Sequence, residues 1–162
     1  CRIHQGFEGK YRLKEALTDL NSYDFVVMDT PPSLNIITIN ALTASDYAVI
    51  PAQADIFSLQ GITQLGQTIE AVKRYTNKDL KVLGIVLTKH NTRSILSRDL
   101  QQVITDTAIQ LHTKVYTQHI REAVAVREAQ AMKQDVFSYD PKSNATQDYD
   151  ALMKEIWKDI NQ

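Results

Sequence analysis

Tyr23-Asp24-Phe25-Val26-Val27-Met28-Asp29-Thr30-Pro31-Pro32-Ser33 is the stretch on which the reading of the fold turns. An unbroken apolar run, residues 25–28, stops at an acid, and two prolines then hold the chain extended with no N–H to donate. Short apolar runs bounded by polar residues suit strands buried on both faces of a parallel sheet. Tyr47-Ala48-Val49-Ile50 before Pro51 reads the same way, as does Val82-Leu83-Gly84-Ile85-Val86-Leu87 before Thr88. Lys114-Val115-Tyr116-Thr117 is a weaker fourth strand.

Helical stripes alternate with these runs. Leu13, Ala16, Leu17 and Leu20 share one face; Leu59, Ile62, Leu65, Ile69 and Val72 share another. Leu96, Leu100, Val103, Ile104, Thr107 and Leu111 form a third stripe, and Tyr149, Leu152, Met153, Ile156 and Ile160 a fourth. Alternation of this kind predicts right-handed βαβ units. The expected fold is therefore α/β, a doubly wound, mostly parallel sheet with helices on both faces, with residues 1–162 forming a single partial domain.

Composition narrows the function. Eighteen Lys and Arg against 19 Asp and Glu leave a formal charge of −1, which argues against a surface coated by nucleic acid and leaves room for a local basic patch. The single cysteine, Cys1, rules out an internal disulfide or a Cys-x-x-Cys metal site. No apolar run reaches the roughly 20 residues of a membrane span, and no signal peptide opens the chain. These features point to a reduced, cytoplasmic protein without membrane partners. The start at Cys1 and the missing initiator Met are read as marks of a fragment.

In open α/β sheets ligands lie outside the carboxyl ends of the strands. Asp29 follows the first run and so stands where an acid holds Mg²⁺, directly or through water, opposite a phosphate. The competing reading makes Asp29 the cap of a helix starting near Ser33. Lys73, Arg74, Lys78 and Lys81 cluster late in one helix, where the helix dipole also favours cations.

Four segments in order carry a resemblance. Residues 23–34, 47–61, 82–88 with Arg93, and Tyr139-Asp140-Pro141-Lys142-Ser143-Asn144-Ala145 together resemble the ParA/MinD superfamily of deviant Walker-A ATPases, in its ParA/Soj branch. The first resembles the family's Walker-B-like strand and the last its Tyr-Asp-Pro-x-Ser turn. The resemblance implies a P-loop NTPase-like fold acting in plasmid or chromosome partition. It implies ATP and Mg²⁺ as cofactors, an ATP-dependent homodimer, non-specific DNA binding and a ParB-like centromere-binding partner. Residue by residue, it makes Asp29 the Mg²⁺-side acid and Asp55 an acid facing nucleotide across the dimer. Thr88 and Arg121 fall beside the adenine, and Arg93 and Lys142 on the DNA-facing side.

Departures matter as much. The family's Lys-Gly-Gly-x-x-Lys-Thr phosphate loop is absent, and the five glycines form no such cradle. Where relatives carry Ile-Pro-Arg-Asn, this chain has Ile120-Arg121-Glu122-Ala123. The chain alone is therefore expected to be catalytically silent, to bind no cofactor, and to self-associate through residues 25–28. The alternative is a P-loop-less relative that serves as a protein- or DNA-docking module.

Overall fold

The computed structural model describes residues 9–20, 22–31, 33–90 and 95–161. Among these, three strands form one sheet in the order β1-β2-β3: β1 is Tyr47–Ala52, β2 is Lys81–His90 and β3 is Ile120–Arg121. β2 and β3 pair in parallel, Thr88 opposite Ile120 and His90 opposite Arg121. The Thr88 hydroxyl donates to the carbonyl of Ala52, the last residue of β1, at 3.2 Å. The three strands thus finish along one edge.

The helices are α1 (Arg12–Leu17), α2 (Ile36–Ala44), α3 (Ile56–Tyr75), α4 (Ile95–Gln110), α5 (Val124–Ala131), α6 (Val136–Tyr139) and α7 (Asn144–Ile160). α3 supplies the helical crossover that parallel neighbours such as β1 and β2 require. The α/β architecture with a parallel sheet and flanking helices is the one the sequence predicts.

The chain divides into two compact units. One holds the chain up to Ala48 together with Thr63–Lys81. There α1 packs on α2, and Asn40 clasps the pair: its amide donates to the carbonyls of Gly9 (2.6 Å) and Ile36 (2.9 Å). Asn77 donates to the carbonyls of Leu42 and Ser45 at 3.0 and 2.7 Å, closing the end of α2. Ala41, Leu42, Ile69, Val72 and Leu80 are buried in this unit.

The other unit holds Val49–Ile62 and the chain from Val82 onward. Val86, Tyr116, Ile120 and Leu152 form a buried cluster, with Leu83, Tyr149 and Ile156 packed against it. Gly84 admits the Tyr116 ring, because a Cβ there would lie 2.6 Å from the ring carbon Cε2.

Two expected strands are corrected. Residues 25–28 belong to no strand, and Phe25, Val26 and Val27 are 53%, 46% and 93% exposed. A β-branched run favours extended backbone, but burial on two faces needs layers that the described residues do not lay over it. Of residues 114–117 only Val115 bridges β2, opposite Ile85. The Ile85 N–H donates to the Lys114 carbonyl at 2.8 Å and the Tyr116 N–H to the Ile85 carbonyl at 2.9 Å, so pairing begins where the sequence assigns it but forms a named strand only at β3.

Candidate functional site

The shared carboxyl edge of the strands brings Asp55, Thr88 and Arg121 into one unit. Asp55 follows β1 by three residues, and its Oδ1 accepts from the Ser58 N–H at 2.7 Å. The Ser58 hydroxyl in turn accepts from the Gln53 N–H at 3.1 Å. Asp55 therefore caps the first turn of α3. Thr88 is half-buried and bonded to Ala52 as described. Directly after it the β2–β3 register shifts, and Lys89 takes a left-handed backbone with φ 48°. Such bulges re-aim strand ends and are frequent beside ligand sites.

Arg121 is held more tightly than its sequence neighbourhood suggests. Its Nη2 and Nε donate to the two oxygens of Asp148 at 2.7 and 2.9 Å, and its backbone N–H reaches Asp148 Oδ2 at 3.1 Å. Gln118 Nε2 adds a bond to Asp148 Oδ1 at 3.2 Å. Asp148 lies on α7 and is only 4% exposed. Burial alone would raise its pKa, but the bonds and charge of Arg121 outweigh that and hold the carboxyl below the usual range. The Arg121 guanidinium is correspondingly held protonated by Asp148.

The same face of α7 continues the pattern. Glu155 accepts from the N–H groups of Thr117 and Gln118, both at 3.2 Å. Asp159 accepts from Lys114 Nζ at 2.7 Å and from the Tyr116 hydroxyl at 2.9 Å. The Lys114 ammonium lowers the Asp159 pKa, while burial, then Asp159, raises that of Tyr116. Burial lowers the pKa of His119 despite the nearby carboxylates of Glu155 and Asp148.

The other expected residues are Asp29, Lys142 and Arg93. Asp29 belongs to the other unit, where its side chain is exposed. It does not cap the following helix, because Asn35 does so by accepting from the Ile37 N–H at 2.9 Å. Lys142 is exposed in the turn before α7; its backbone N–H donates to Asp140 Oδ1 at 3.2 Å. Arg93 lies outside the described residues. Among the described residues no cluster of three or more His, Cys, Asp or Glu could cage a metal. A cleft lined by Lys10, Ile39, Thr68, Ala71, Val72, Tyr75 and Thr76 measures about 90 Å³, well below the roughly 300 Å³ at which ligand pockets begin.

A family model described as an AAA domain matches residues 2–82. The chain is 40% identical over 149 residues to the chromosome partitioning protein ParA of Caulobacter vibrioides, covering 90% of this chain and 55% of that protein. It is 39% identical over 146 residues to the sporulation initiation inhibitor protein Soj of Bacillus subtilis, covering 90% and 56%. The chain belongs to the AAA-domain family, as a ParA/Soj-type member.

Among solved structures, cobyrinic acid a,c-diamide synthase from Mycobacterium smegmatis matches with a TM-score of 0.69 at 32% identity, over 92% of this chain and 54% of that one. The same synthase with bound ADP and magnesium matches with a TM-score of 0.56 at 39% identity, over 60% and 40%. The chain thus spans about half the length of the ParA and Soj proteins it matches. The sequence reading missed Asp148. An acid at position 148, seven residues before Glu155 and eleven before Asp159, was the available signal, because that spacing puts all three on one helix face. No described helix is long and apolar enough to cross a membrane.

Proposed function

We propose that this chain works in chromosome or plasmid partition, as part of an ATP-dependent DNA-segregation switch. The observation that carries the reading is its 39–40% identity to Soj and ParA over nine-tenths of its length. Asp29, exposed and relieved of helix capping by Asn35, is the Mg²⁺-side acid. Mg²⁺ there, held directly or through water, offsets phosphate charge. Asp55, Thr88 and Arg121 form the nucleotide-side edge. Lys142, with Arg93, faces DNA through phosphates rather than bases. The intact gene product forms an ATP-dependent homodimer, binds DNA without sequence preference and answers to a ParB-like partner.

The described residues contain no glycine-rich run of backbone donors for the phosphates. The 162-residue chain alone is accordingly expected to release no phosphate from ATP above background. In the intact gene product, Asp29→Ala should abolish Mg²⁺-dependent ATP binding and turnover. Its stability should stay within about 0.5 kcal/mol of the parent, as for other exposed positions. Full turnover in that variant refutes the assignment. A second reading, a docking module without nucleotide chemistry, is favoured by the Arg121 guanidinium being already held by Asp148. An intact product that binds duplex DNA equally with and without ATP would support it.

A further inference from the structure

β3 is two residues long, and the register beside it is already shifted at Lys89. Pairing of that length does not by itself fix the course of the chain beyond it. The next element, α5, begins after Ala123, which offers no side-chain cap. Yet both ends of this short strand meet one buried acceptor: Asp148 bonds Gln118 before the strand and Arg121 at its end. Arg121 Nη2 also lies 3.4 Å from the carbonyl of Asn144, the first residue of α7.

We propose that Asp148 is a positioning residue for the nucleotide-side edge: through Gln118 and Arg121 it sets the path of the β3–α5 connection. What the edge is for rests on the function proposed above; the bracketing of β3 does not. Arg121 then acts on the ligand through where it places the backbone of residues 121–123, its guanidinium being engaged. A carboxylate that accepts from a strand's last N–H, from that residue's side chain and from a side chain just before the strand supplies fixing that two residues of pairing do not.

The test uses the intact gene product with Asp148→Asn, and with Asp159→Asn as the comparison. Asp159 lies on the same helix face and accepts bonds of the same kind, from Lys114 and Tyr116. Amide hydrogen exchange of residues 119–124 and titration with a fluorescent ATP analogue plus Mg²⁺ are measured for both variants. The expected result is faster exchange at 119–124 in Asp148→Asn alone. Its nucleotide affinity should also fall by about fivefold or more, the lower end of ordinary coupling between groups. Equal effects of the two variants mean that Asp148 only stabilises the fold, and this overturns the proposal. Unchanged exchange at 119–124 in Asp148→Asn overturns it as well. A parent protein that binds no nucleotide refutes the functional reading instead, and the exchange measurement still decides the positioning role.

Discussion

Gly84 shows how much a single side-chain hydrogen decides in this fold. A Cβ at that position would meet Tyr116 Cε2 at 2.6 Å, Cδ2 at 2.8 Å and the Lys114 carbonyl at 3.2 Å. Tyr116 is buried and its hydroxyl is tied to Asp159, so the ring has little freedom to retreat. Gly84→Ala should therefore lower stability by about 1–3 kcal/mol, the usual penalty of overpacking. Urea unfolding measures it; a midpoint equal to the parent's would mean that the ring moves freely. The sequence read Gly84 only as a member of an apolar run, since nothing local says which ring lies across it. Asp29 was read as an acid ending a strand that the described residues do not form, and the choice between cap and ligand was not legible. Asn35, six residues on, is the residue that caps α2.

At the scale of elements, the runs at 47–50 and 82–87 and the stripes of α3, α4 and α7 were legible because burial imposes their periods. Residues 25–28 and 114–117 were not, because strand propensity reports a willingness to extend and says nothing about what lies alongside. Around residues 114–121 that role falls to the acids of α7, and this makes the segment sensitive to pH. Asp148 and Asp159 both titrate lower in the folded chain than their reference value of 3.8. Their stabilisation is complete above that unfolded value and is lost as pH falls through the folded ones. His119, lowered from 6.5 by burial, acts with the same sign, its contribution draining as pH falls below that value. Stability should therefore drop modestly between pH 7 and 5 and more steeply below about pH 4. Replacing Asp148 and Asp159 together by Asn should flatten the lower step; urea midpoints measured across this pH range check it, and a lower step of unchanged size would count against the assignment.

At the scale of the whole molecule, the apolar side chains of residues 25–27 and of Tyr23, Leu34, Ile36 and Ile37 are all exposed. Apolar side chains exposed in such number favour association. Light scattering of the 162-residue chain across a dilution series should show a mass that rises with concentration, and Val27→Lys should suppress the rise. A constant monomer mass for the parent sequence would refute the association. The acids of α7 carry a different lesson. A hydrogen-bonded ladder sets strand register by a period of two, and residues 114–121, which pair with β2 only at Val115 and in β3, are tied as well to acceptors at positions 148, 155 and 159 of a helix. Inserting one residue into that helix turns everything beyond it by about 100° and misdirects the acids together. In chimeras built between relatives, the 114–121 segment and the final helix would have to be exchanged as one cassette. A crossover placed between them would leave each half presenting partners that the other half lacks.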